Sequence, residues 1–144
     1  MICTFFGHKD TPSGIEIFLQ EVIVDLINQG VTSFYIGNQG NFDAMAIKIL
    51  SKLKEKYAIN YTVVLAYMPL QKNTDEYTAE SVFPECLANV PPRFAIDRRN
   101  RYLLEKSDIV VCFVTHSFGG AAKFTELAKK QGKTVINLSE KNNI

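Results

Sequence analysis

The chain has 144 residues, enough for one domain with a full core. Hydrophobic residues make up 47% and charged residues 22%, an ordinary globular balance, and the formal net charge is +1. That charge excludes a dedicated duplex-binding surface, which needs a net basic face, and leaves room only for a local basic pocket.

No apolar run reaches the length of a transmembrane helix, and Met1 leads straight into a strand without a signal peptide. A cytoplasmic protein without membrane contact is therefore expected. Cys3, Cys86 and Cys112 lie far apart and form no C-x-x-C pair, so neither a metal site nor a redox dithiol is signalled and no cofactor is expected. Cys3 and Cys112 fall inside apolar strands and read as buried thiols.

In chain order, residues 2–6 read as the first strand, ending at Gly7-His8. Helix-start chemistry follows, either a capping box of Ser13 with Glu16 or a Thr11 cap with Pro12 in the first turn. Ile15, Phe18, Leu19, Val22, Ile23 and Leu26 repeat at helical spacing, and Gly30 ends the helix. Residues 33–36 form a second strand, followed by Gly37-Asn38-Gln39-Gly40-Asn41. Asn41 can cap a second helix that runs to about Lys56, with Phe42, Met45, Ala46, Ile49, Leu50 and Leu53 inward. Residues 61–66 read as a third strand. Residues 67–92 then form a long loop or lid with prolines at 69, 84, 91 and 92.

Residues 94–106 look helical. The apolar run after Asp108 is a strand buried on both faces, as in a parallel sheet. It stops at Thr115-His116-Ser117-Phe118-Gly119-Gly120 and passes into a helix over 121–130, with Phe124, Leu127 and Ala128 inward. Gly132 stops that helix, residues 134–138 form a fifth strand, and residues 139–144 are a polar, frayed tail. The order β-α-β-α-β-(loop, α)-β-α-β makes one α/β domain over 1–144. Its sheet is parallel, about five strands in the order 3-2-1-4-5, with helices on both faces.

In that order the first and fourth strands meet at the topological switch point, where such sheets bind ligands. Gly7-His8 and the 115–120 loop line the crevice from opposite sides, and Gly37, Asn38 and Gly40 approach from the second strand. Strand, glycine turn and helix aim free backbone N–H groups at an anion, so Thr115, His116, Ser117, Gly119 and Gly120 read as a phosphate or carboxylate cradle. The plainer alternative is a tight turn that uses glycine for geometry alone.

Arg99 shares a helix face with Ile96 and Leu103 and so interrupts an apolar stripe. An inward guanidinium needs an anion, either a ligand phosphate or an internal carboxylate. Arg93 follows Pro91-Pro92 and can close over a ligand. Glu126 lies two turns into its helix. It either flanks the cradle, where a carboxylate can stabilise an oxocarbenium-like centre or activate water, or makes a surface pair with Lys130, which the residues alone favour. His8 and His116 suit hydrogen bonds to ligand or backbone better than metal binding. Asp43 reads first as a helix-start acid and second as a partner for a ribose hydroxyl. Tyr67, Tyr77 and Phe118 offer stacking surfaces for a base, although Phe118 can equally plug the core. No G-x-S-x-G elbow surrounds Ser117, and no Walker pattern occurs.

Thr4-Phe5-Phe6-Gly7-His8, Gly37-Asn38-Gln39-Gly40-Asn41-Phe42-Asp43, Pro91-Pro92-Arg93-Phe94-Ala95-Ile96 and Val114-Thr115-His116-Ser117-Phe118-Gly119-Gly120-Ala121-Ala122 resemble the SLOG superfamily. The likeness is greatest to a small bacterial, Firmicute-type branch of single-domain members. It implies a Rossmann-like three-layer α/β/α domain that binds nucleotides or nucleotide-derived ligands. The superfamily includes the Lonely Guy phosphoribohydrolases, usually dimers, which split the base from a nucleoside 5′-monophosphate. Their signature is P-G-G-x-G-T-x-x-E, preceded by an arginine in M-x-x-R-K. Gly119, Gly120 and Glu126 fall on the glycine pair and the glutamate, and Arg99 on the arginine; in that family this arginine and glutamate are the catalytic pair. Ala122 and Lys123 depart from the next glycine and the threonine, Asn100 from the lysine and Ile96 from the methionine, and the loop before the glycine pair is about four residues longer.

The expectation is a binder of a small nucleotide-derived ligand that senses or sequesters it, and a homodimer or higher homo-oligomer. The alternative is a phosphoribohydrolase with Glu126 and Arg99 as catalytic pair. A third reading is an interaction module with a vestigial pocket.

Overall fold

A computed structural model of the chain describes residues 1–67 and 80–141. The elements run β1 (Ile2–Gly7), α1 (Glu16–Asn28), β2 (Ser33–Ile36), α2 (Asn41–Leu53), β3 (Asn60–Val64) and β4 (Glu80–Val82). They continue with α3 (Pro92–Lys106), β5 (Ile109–Phe113), α4 (Gly120–Lys130), β6 (Thr134–Asn137) and α5 (Leu138–Lys141).

The strands form one parallel sheet in the order β4-β3-β2-β1-β5-β6. The predicted order 3-2-1-4-5 is contained in it, with one further strand at the β3 edge. That strand, β4, pairs Thr62 with Glu80 and Val64 with Val82. It lies within the stretch read as loop, and three residues are too few to show a strand period. Residues 68–79 of the expected lid, Tyr77 among them, lie outside the described residues, as do residues 142–144 of the tail.

Period-two alternation sends the strands' side chains to two cores. Cys3, Phe5, Phe34, Ile36, Val63 and Val111 pack with the apolar faces of α1 and α2. Phe6, Val64, Val110 and Cys112 pack on the other face with Leu103 and Leu104 of α3 and Phe124 and Ala128 of α4. The result is a Rossmann-like three-layer α/β/α sandwich. Burial pushes the Cys3 thiol far above its usual range and the Cys112 thiol up to about 11, so both are inert core groups. Among the described residues no helix is long and apolar enough to cross a membrane.

Three local expectations change. A 3-10 turn at Ser13–Ile15 precedes α1, and no side chain caps it. Thr11 instead donates to the His8 carbonyl at 2.6 Å, so its hydroxyl shapes the turn after β1. Asn41 does not cap α2: Gly40 occupies that position, and Asn41 Nδ2 reaches the Thr11 carbonyl at 3.4 Å. The described part of the tail is ordered as α5. Leu138 is fully buried there, and Ser139 Oγ donates to the Val114 carbonyl at 2.8 Å.

Candidate functional site

Strand order reverses between β1 and β5, and the crevice beyond their carboxyl ends is an open cleft of about 530 Å³. Small-molecule sites have volumes of this order. The end of β1 and the following turn contribute Phe5 through Asp10, and the β2–α2 region contributes Gln39 and Asp43. From the other side come Ile96, Arg99, Asn100 and Leu103 of α3, and His116 with Phe118 through Ala121.

Arg99 is 2% exposed. Its Nε donates to Asn100 Oδ1 at 2.9 Å and its Nη1 to the Val64 carbonyl at 3.1 Å. The guanidinium lies flat against Gly37, where a Cβ would come within 2.6 Å of Nη1. Gly37 is therefore part of the site as the floor under Arg99. Among the described residues no carboxylate forms an ion pair with Arg99. Burial pulls its pKa down, and the more distant charge of Asp43 opposes this. Nη2 has no hydrogen-bond partner among the described residues, and Arg99 lines the cleft. A charge so placed has neutral hydrogen-bond partners and no ion pair, which favours an anion in the cleft.

Asp43 is 7% exposed, more enclosed than a simple helix-start acid. The physical reason is the neighbouring Phe42, whose ring packs onto Gly7 and draws the first turn of α2 against β1. Asp43 Oδ2 accepts from the Gln39 amide at 2.9 Å. Burial pushes its carboxyl up to about 6, against the pull of that amide and of Arg99.

The opposite wall is the glycine turn. Gly119 has φ +92° and precedes α4 without a side-chain cap. The amides of Gly119, Gly120, Ala121 and Ala122 have no partner among the described residues, and Lys123 is the first to bond back, to the Gly119 carbonyl at 3.1 Å. A Cβ on either glycine would meet nothing within 4 Å. These donors sit at the positive end of the helix dipole and are open. The hollow is not packed shut.

Histidine holds the turn in place. Thr115 N–H donates to His8 Nε2 at 3.1 Å, so His8 is neutral and carries its proton on Nδ1. Burial and the neighbouring His116 keep the His8 pKa below its ordinary value, and Asp10 opposes them. The rings of His8 and His116 stack at 3.8 Å, and those of His116 and Phe118 also at 3.8 Å. Asn137 bonds both the amide and the carbonyl of Val114, each at 3.2 Å, and fixes the start of the loop.

Several sequence-predicted residues stand elsewhere. Glu126 does not line the cleft; its side chain is 67% exposed, and it pairs with Lys129 at 3.4 Å, not with Lys130. Arg93 is exposed and lies over the Phe94 ring at 4.8 Å. Thr115 and Ser117 are exposed and outside the lining; Thr115 acts through its amide. Asn38 Oδ1 accepts from Gln39 Nε2 at 3.4 Å, and Gly40, at φ +90°, packs on the Lys9 backbone. Both shape the loop and do not line the cleft. Gly7, His8, Asp43, Arg99, His116, Gly119 and Gly120 do converge on it.

Lys9, Asp10, Gln39 and Asn100 line the cleft without having been singled out as ligand residues. Asn100 had a visible signal, as the neighbour of an inward arginine. Among the described residues no cluster of three or more His, Cys, Asp or Glu is placed to hold a metal ion.

Fold and cleft together define a parallel α/β domain with an anion-compatible crevice at its switch point. The chain matches no model of a known protein family, and no curated protein matches it in sequence.

Proposed function

We propose that the protein binds a nucleotide or nucleotide-derived ligand, with phosphate on the amides of Gly119 and Gly120, and senses or sequesters it without turnover. The observation that carries this reading is the first turn of α4, whose amides are unpaired among the described residues and open to a cleft that also holds the buried Arg99, which forms no ion pair there. Backbone amides at a helix N-terminus favour a phosphate group. A buried guanidinium favours a second polar or anionic group on the same molecule. Membership of the SLOG superfamily, a bacterial source and a homodimer or higher homo-oligomer belong to the same proposal and rest on the sequence resemblance; a cytoplasmic setting belongs to it too and rests on the unpaired cysteines.

The alternative, a phosphoribohydrolase with Glu126 and Arg99 as catalytic pair, draws less support. Glu126 is exposed and lies outside the lining of the cleft that holds Arg99.

Thermal unfolding with a panel of nucleoside monophosphates, ADP-ribose-like compounds and ribose 5-phosphate tests the proposal. A ligand at a hundred times its Kd adds about 2.7 kcal/mol of stability. Stabilisation by a ligand recovered intact supports binding. Base release that disappears in Glu126→Gln supports the hydrolase. If no member of the panel stabilises the protein, the nucleotide reading falls and an interaction module takes its place.

A further inference from the structure

Phe118 is 70% exposed, whereas Phe5 and Phe6 beside it in the cleft are buried. It does not plug the core. One face of its ring lies on His116 at 3.8 Å and 18°, and His116 lies on His8 at 3.8 Å and 14°. His8 in turn is tied to the Thr115 amide. The ring is thus held in one orientation by a column that reaches into the buried wall of the cleft, and its other face is bare.

The next residues in the chain are Gly119 and Gly120, with open amides and no side chains. A flat π surface and a set of anion-facing donors are therefore contiguous, with nothing between them. We propose that Phe118 is the platform on which a planar heteroaromatic base stacks while the same ligand's phosphate rests on the Gly119–Gly120 amides.

This assignment rests on the nucleotide reading above and adds to it the position of the base. An aromatic group bearing a phosphate uses both surfaces, whereas a sugar phosphate uses only the amides. Because the column is assembled before ligand arrives, little side-chain order remains to be imposed on binding. Stacking tolerates any base, since every base has a π face. The platform thus distinguishes nucleotides from sugar phosphates more than one base from another.

The chain contains no tryptophan, so Phe118→Trp makes a single fluorescent reporter at the proposed contact. A nucleoside monophosphate should quench it and stabilise the protein, and ribose 5-phosphate should stabilise without quenching. In Phe118→Ala, affinity for the monophosphate should fall by about five- to a hundredfold, with ribose 5-phosphate unchanged. Stabilisation by the monophosphate without quenching, together with unchanged affinity in Phe118→Ala, overturns the platform and leaves phosphate binding standing. No stabilisation by either compound overturns the nucleotide reading and the platform with it. A changed oligomeric state in Phe118→Ala at constant nucleotide affinity also overturns it and assigns the ring to a contact between copies of the chain.

Discussion

Replacing Asp43 by Asn removes a charge, keeps the side chain's size and leaves an acceptor for the Gln39 amide, now at 2.9 Å. The ordinary carboxyl value is 3.8, and burial raises it to about 6 in the fold. Between those values the folded chain holds a proton that the unfolded chain has lost, so stability falls as pH rises. Well below about 4 both states are protonated and no penalty exists; well above about 6 both are ionised and the penalty is complete. Two units at about 1.36 kcal/mol each make it on the order of 3 kcal/mol. Asn mimics the protonated acid. Asp43→Asn should therefore be more stable than the parent by on the order of 3 kcal/mol at pH 7.5, and equal to it well below pH 4. At about 2–4 °C per kcal/mol, the neutral-pH gain corresponds to a rise in Tm of roughly 6–12 °C. Urea unfolding across this pH range measures the difference directly, and groups common to both proteins cancel. A difference that does not vary with pH, or a variant less stable at pH 7.5, refutes the burial argument. It would mean that the fold needs the ionised carboxylate beside Arg99.

Three further outcomes follow from the site. Gly37→Ala pushes a methyl group into the Arg99 guanidinium and should cost about 1–3 kcal/mol, whereas in an Arg99→Ala background the cost should largely vanish; additive losses in a double-mutant cycle overturn that contact. Gly40→Ala combines a φ of +90° with a Cβ only 2.7 Å from the Lys9 Cα, while Gly119→Ala meets strain alone at φ +92°. Gly40→Ala should therefore be the more damaging by about 1–3 kcal/mol in chemical denaturation, and equal losses contradict the packing described. Glu126→Gln should stay within about 0.5 kcal/mol of the parent and bind nucleotide equally well, and a tenfold loss of affinity by calorimetry returns Glu126 to the site.

The legible parts of this chain are those set by local pattern. β5 is an unbroken apolar run, so both its burial and its parallel partners can be read from it. Arg99 breaks an apolar stripe, and its burial follows from the residues three before and four after it. β4 is illegible because its three residues pair only through the distant register of β3. The burial of Asp43 is also non-local, since it depends on Phe42 packing onto Gly7 from another strand. Glu126 is a different case. It lies about 200° around α4 from Phe124, which faces the core. Helical geometry puts it on the solvent side, and its closeness in sequence to the glycine turn and the resemblance are what argue otherwise.

The two lips of the cleft are anchored unequally. Gly40 rests on the Lys9 backbone, Asn41 N–H bonds the Lys9 carbonyl at 2.9 Å, and Asn41 Nδ2 reaches Thr11. The loops after β1 and β2 thus brace each other as a fixed jaw. Across from them, the five residues before Gly120 hang from one histidine bond and a column of rings, and among the described residues their only bond across to that jaw is the one to His8. Adjustment to cargo of different shape falls on that lighter jaw, where residues can be exchanged without disturbing the guanidinium and carboxyl beneath.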